Sequence, residues 1–199
     1  MLQSASQRHS LMLISDAYRE MNRELHEAGG YGIAGGGRDR VPMVNDLAKQ
    51  IDAKTILDYG CGRNEWLRTG LNYAYDLRSY DPCVSGLDAA PEPADIVACF
   101  DVLGHVEPEC VDAVLDDLQR CTGRMIMLII ETGKAKKILS DGRNAHLIQE
   151  PVEWWMPKLM KRWHIRHFVR HARGFLFIAA AYKEPASTTE TVERVLEAV

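Results

Sequence analysis

The residues best placed to do chemistry are Leu57-Asp58-Tyr59-Gly60-Cys61-Gly62, a short strand-like run that ends near an acid and breaks into Gly-x-Gly. Glycines at such a point let the backbone turn sharply and approach a ligand with no Cβ in the way. A second acid, Asp81, follows 19 residues after Gly62. At that separation a nucleotide-binding βαβ unit sets a carboxylate against ribose hydroxyls. Either feature alone is weak, and the two together point to a ligand carrying a sugar. Other polar residues fall where apolar runs stop: Asp101 to His105 after ADIVACF, then Glu131 and the polar stretch behind it with Arg143, Asn144 and His146. Cys61, Cys83, Cys99, Cys110 and Cys121 form no C-x-x-C pair and read as structural. The seven histidines include no H-E-x-x-H or other close array, so no metal site is expected.

These residues need a scaffold that brings strand ends side by side. Ile14, Tyr18, Met21 and Leu25 form one apolar stripe of a helix over about 10–27, stopped by Gly29-Gly30. The segment GGYGIAGGGRDR that follows is too rich in glycine for a helix or strand interior. A second helix after Pro42 aligns Val44, Leu47, Ala48 and Ile51. Then come a strand at 55–59, a brief helix at 64–71, a strand at 74–80 and a loop at 83–93 fenced by Pro91 and Pro93. Residues 94–100 and 124–131 are almost wholly apolar, as in strands buried on both faces, and a helix opened by Pro108 separates them. Pro151 starts a last core helix, and 163–170 with 174–182 read as a hairpin. Alternating strands and helices imply a parallel sheet covered on both faces, with ligands beyond the strand ends where the strand order reverses.

The composition bounds the rest. A chain of 199 residues with net charge −4 fits one domain and argues against an overall basic, phosphate-neutralising surface. No run reaches the ~18 apolar residues of a membrane span. MLQSASQRHS lacks a secretory pattern, so a soluble, cytoplasmic protein is expected.

TILDYGCGRN, SYDP and ADIVACFDVLGHVEP resemble the first, second and fourth strand motifs of the class I, Rossmann-like S-adenosylmethionine-dependent methyltransferases, a likeness covering residues 40–182. DGRNAHLI followed by the P-x-E-W-W helix resembles small bacterial and phage-type members. The resemblance implies an α/β fold with a doubly wound seven-stranded sheet, mostly parallel with an antiparallel C-terminal hairpin. It implies S-adenosylmethionine as cofactor, with Gly60 and Gly62 beneath its amino-acid part and Tyr59 and Cys61 in the same loop. Asp58 would orient that loop or meet the methionine amino group, Asp81 the ribose hydroxyls and Asp88 the adenine amino group. Asp101 and Val102 would floor the site near the methyl. Two positions depart from the family pattern: Asn64 replaces its third glycine, and Gly104 the Glu before His105.

Methyl transfer from a sulfonium asks the protein mainly to bind, align and exclude water, with one base if the acceptor carries a proton. His105 and His146 are the candidate bases. The implied acceptor is a small molecule or a nucleobase- or nucleotide-type compound. Trp154 offers a stacking face, and Trp155 reads as core. Tyr31, Arg38 and Arg40 sit in or beside a candidate glycine-rich lid. The basic run Lys158–Arg173 reads first as a solvated face and second as a nucleic-acid patch. The chain divides into an N-terminal helix and glycine loop (1–41), a methyltransferase-like domain (42–184) and a tail helix (185–199). Two other readings are a catalytically silent protein of the same fold, which Asn64 and Gly104 keep open, and a nicotinamide-dependent oxidoreductase, for which a separate substrate region is missing. The oligomeric state is left open.

Overall fold

A computed structural model describes residues 12–29, 40–63, 66–71 and 74–182. The expected tail helix, Tyr31, Arg38 and Asn64 lie outside the described residues. In chain order the elements are α1 (Asp16–Glu27), α2 (Val41–Gln50), β1 (Thr55–Tyr59), α3 (Trp66–Gly70), β2 (Asp76–Tyr80) and β3 (Ala94–Phe100). They continue with α4 (Val111–Cys121), β4 (Thr122–Glu131), α5 (Val152–Met160), β5 (Trp163–His171) and β6 (Gly174–Ala181). One sheet of six strands runs β2-β1-β3-β4-β6-β5. The pairs among β1 to β4 are parallel, and β6 runs antiparallel to both β4 and β5.

The two apolar runs become β3 and β4 at the centre of this order. Side chains alternate between the faces of a strand. Leu57, Val97, Ile126 and Leu128 therefore meet Leu115 and Leu118 of α4 and Trp155 of α5 on one side. Their neighbours Ile56, Ile96, Met125 and Met127 meet Val44, Leu47 and Ala48 of α2 on the other. Burying both faces excludes water from the strands whose ends carry the polar residues. The hairpin forms as expected, with His171 opposite Gly174 across a two-residue connection.

Among the described residues the sheet has six strands where the family resemblance implied seven. Residues 83–93 make turns instead of a third edge strand. Pro91 and Pro93 offer no ladder N–H there, and Gly86 sits at φ +85°. The first helix starts at Asp16, because Ser15 caps it: the Ser15 Oγ accepts from the Tyr18 N–H at 3.2 Å. Among the described residues no helix is long and apolar enough to cross a membrane.

Candidate active site

The chain leaves β1 for β2 on one side and returns to β3 on the other, so the loops after β1 and β3 part and open a crevice at the switch point. A cavity of about 350 Å³ occupies it. Asp58, Tyr59, Gly60, Cys61, Gly62, Asp81, Asp101, Val102 and His105 all line this cavity, as do Tyr18, Asn22 and His26 of α1 and Arg40 before α2. Asp88 does not. It borders a neighbouring groove, and its carboxylate accepts from the Gly86 N–H at 3.2 Å, closing its own turn.

The turn after β1 is built for close approach. Gly60 has φ +75°, and a Cβ there would stand 2.4 Å from Cγ2 of Val102. Both backbone and space therefore demand glycine. The Gly60 and Cys61 N–H groups donate to the Tyr80 carbonyl at 2.7 and 3.1 Å, which ties the turn to the end of β2. The Gly62 N–H reaches Oδ2 of Asp81 at 2.9 Å, and the Cys83 N–H reaches Oδ1 at 2.8 Å. Each carboxylate oxygen can accept more than one hydrogen bond, so Asp81 retains capacity for hydroxyl donors. His26 Nε2 lies 3.9 Å from Oδ2 of Asp81. Burial lowers the His26 pKa against the pull of Asp81.

Asp58 is an acid held where its charge is costly. Burial, reinforced by the nearby Asp81 charge, pushes its pKa up to about 7. At the other end of the cavity the balance reverses. Burial alone would raise the pKa of Asp101, but His146, His105 and Arg40 hold it below the usual carboxylate range. Asp101 adopts φ +60°, one of two non-glycine positive values among the described residues. His105 is pushed down to about 4, first by burial and then by His146. Burial opposes protonation of His146 too, yet Asp101, the Gly133 carbonyl and Glu131 outweigh it and raise the pKa.

The loop 133–150 delivers His146 to this end. Asn144 clasps the Ala135 backbone twice, donating to its carbonyl and accepting from its N–H, both at 2.9 Å. The Asn144 Oδ1 also accepts from the His146 N–H at 3.0 Å, so Asn144 is a staple for the loop. A Cβ on Gly104 would come 3.3 Å from the His146 ring. The residue that departs from the family pattern thus makes room for this imidazole.

Helix α1 supplies a wall of the cavity, where the sequence marked only an N-terminal amphipathic helix. Its buried line is Tyr18, Asn22 and His26, whereas the expected stripe of Met21 and Leu25 is half-buried. Four-residue spacing from Ile14 carried the signal, but polar residues at two of the steps hid it. Ser15 donates to the buried Glu107 carboxylate through N and Oγ at 2.7 and 2.6 Å, and the Tyr18 hydroxyl donates to the His105 carbonyl at 2.6 Å. Neither Glu107 nor Asn22 was singled out in the sequence.

Other candidates sit elsewhere. Trp155 is fully buried core, and Trp154 packs beside it under the Lys158 ammonium at 4.7 Å. Neither lines the cavity. In the basic run, Arg162 is buried against Asp112 and Asp116, Lys158 meets Asp112, Arg170 meets Glu153 and Arg173 meets Glu131. Those carboxylates neutralise much of the patch.

An open, mostly parallel sheet with an acid and Gly-x-Gly at the switch point, and a second acid just beyond the next strand, defines an α/β protein of nucleotide-cofactor type. A family model described as a methyltransferase domain matches residues 14–179, and the chain belongs to that family. No curated protein matches it. Among solved structures, a DhpI complex with S-adenosylhomocysteine aligns with a TM-score of 0.56 at 16% identity, over 89% of this chain and 98% of that one. The 1,6-didemethyltoxoflavin-N1-methyltransferase of Burkholderia thailandensis aligns at 0.56 and 14%, over 91% and 92%. The methyltransferase domain of the bacterial protein CtHen1 aligns at 0.53 and 12%, over 72% and 98%. At these identities the likeness is one of fold.

Proposed function

We propose that this methyltransferase binds S-adenosylmethionine across the mouths of β1, β2 and β3 and passes its methyl group in line to a compact acceptor, a small molecule or a nucleobase- or nucleotide-type compound. The observation that carries the reading is one continuous cavity joining Asp58 and Asp81, past the Gly60–Gly62 turn, to Asp101 and His105. The donor chemistry fits this cofactor. Asp81 has acceptor capacity for the ribose hydroxyls, and Asp58 places a poised acid where a cationic amino group offsets its desolvation. Arg40, at the cavity wall, suits the cofactor's carboxylate.

The cofactor, when bound, supplies an electrophilic methyl group and a neutral thioether as leaving group. The chain's own residues bind, align and keep water out. Val102, held against Gly60, and Tyr18 with Ile14 narrow the cavity with apolar surface. Asp101 and His105 form the polar end, with His146 packed behind them outside the cavity lining, and an acceptor bearing a hydroxyl or amine directs its proton there.

Calorimetry tests the cofactor. S-adenosylmethionine and its demethylated product should each give saturable heat with one site, and NAD none. Absence of heat with both sulfur compounds overturns the reading.

A further inference from the structure

The fold assembles what the linear spacing of histidines concealed. One ligand atom from each of Asp101, His105 and His146 lies within 4.8 Å of the other two. The His105 Nδ1 donates to the Ala145 carbonyl at 2.8 Å, and the His146 Nδ1 donates to the Gly133 carbonyl at 2.6 Å. A carbonyl only accepts, so both Nδ1 atoms carry a hydrogen, and in the neutral rings the lone pair sits on Nε2. Donation from the far ring nitrogen to a fixed oxygen is how proteins orient metal-binding imidazoles.

The position of Asp101 separates two roles for the cluster. In a carboxylate–histidine base, the acid takes the hydrogen of one ring nitrogen and the substrate faces the other. Here the Asp101 Oδ1 lies 3.6 Å from Nε2 of His146, the nitrogen that has the lone pair, and Nδ1 is spent on Gly133. With the ring neutral, two acceptors converge on one point; a proton on Nε2 or a metal ion supplies the positive charge between them. The rings of His105 and His146 meet edge to face with centroids 4.5 Å apart, so the two bases converge on the same region. Ligands at about 2.1 Å from one ion stand roughly 3 to 4 Å from each other. Small side-chain rotations close the difference.

We propose that Asp101, His105 and His146 bind a divalent first-row transition ion, such as Mn²⁺, Fe²⁺, Co²⁺ or Zn²⁺, at the acceptor end of the cleft. Two imidazoles and one carboxylate suit such ions better than Mg²⁺ or Ca²⁺, which favour oxygen cages. Three protein ligands leave positions open for an acceptor, and the site then favours one that offers a hydroxyl or acid oxygen. A hydroxyl acceptor loses its proton to solvent, its oxygen forms a bond to the methyl carbon, the sulfur–methyl bond breaks, and the sulfonium leaves as a neutral thioether. This role rests on the methyl-transfer reading; the ion site itself rests on geometry alone.

The test uses the full chain stripped with a chelator. Mn²⁺ is titrated by loss of its free electron paramagnetic resonance signal, Co²⁺ by visible absorption and Mg²⁺ by calorimetry. One equivalent of Mn²⁺ or Co²⁺ should bind, with Mg²⁺ weaker. His146→Gln and Asp101→Asn should each weaken binding by ~10-fold or more. Asp101→Asn is the second variant because its half-exposed side chain is dispensable for packing. No binding of Mn²⁺ or Co²⁺ up to millimolar concentration, or binding undiminished in both variants, overturns the proposal. Either result leaves the cofactor reading standing, because that reading fails only through loss of cofactor heat.

Discussion

Asp58, near the end of β1, and Asp101, one residue beyond β3, mark the two ends of one cleft, and the fold treats them in opposite ways. Asp58 faces another carboxylate, Asp81, and burial drives its pKa up to about 7. Asp101 faces two imidazoles and Arg40, and its pKa is held down. Both groups are desolvated, so the neighbours decide the difference. The Asp58 end sets two carboxylates near each other and is relieved by a ligand that brings positive charge. The Asp101 end has its partners already and is organised around a shared point. In the proposed reading, binding and chemistry thereby fall to different strands.

The largest effect should come from removing the neighbour that makes the Asp58 end acidic. Asp81→Ala deletes the acceptor of the Gly62 and Cys83 N–H groups and the proposed ribose contact. Its affinity for S-adenosylhomocysteine should fall by about 1–3 kcal/mol, the scale of charge-assisted hydrogen bonds, while Asp81→Asn, which keeps an acceptor, should lose less. Calorimetry reads both. Wild-type affinity in Asp81→Ala would remove the acid pair from the binding site.

A pH series sharpens the comparison at Asp58 itself. A folded pKa raised from 3.8 to about 7 means the ligand-free fold prefers the neutral acid. That preference stabilises the protein at low pH and is lost as pH rises through about 7. A cationic cofactor prefers the ionised acid, so binding releases a proton. Affinity should then climb by up to ~10-fold per pH unit between pH 5 and 7 and level off above, because one ionisation governs it. Asp58→Asn should flatten the profile. A wild-type profile that is flat across this range would show that Asp58 does not meet the cofactor's charge.

The sheet and the acid–glycine turn were legible in the sequence because they rest on local rules. Apolar runs such as ADIVACF and RMIMLIIE can only be central strands, and Gly60 is required by its own φ. The acceptor end was less legible. Asp101 and His105 are four residues apart, but His146 arrives from a loop whose course depends on the Asn144 staple, and no spacing encodes that. The α1 wall was half visible: Tyr18 belongs to the apolar stripe, whereas Asn22 and His26 are polar and fall outside any apolar pattern, although both line the cavity. The missing third strand was visible only as prolines, and family likeness pointed the other way.

Helix α1 touches both ends of the cleft, through His26 beside Asp81 and Tyr18 beneath His105, so it offers the finest test of their separateness. Tyr18 is buried, its pKa is raised to about 12 mainly by that burial, and its hydroxyl donates to the His105 carbonyl. Tyr18→Phe keeps the ring against Ile14 and Cys83 but leaves that carbonyl without its donor. One such bond contributes about 1 kcal/mol, which for a domain of this size lowers Tm by roughly 2–4 °C. The carbonyl belongs to the three-residue turn Leu103–His105 that sets the His105 ring, so turnover should fall several-fold. The Asp58–Asp81 contacts run through β1 and β2 and do not pass through that turn, so cofactor affinity should hold. If affinity and turnover dropped together in Tyr18→Phe, α1 would be coupling the two ends, and the cleft would act as one site.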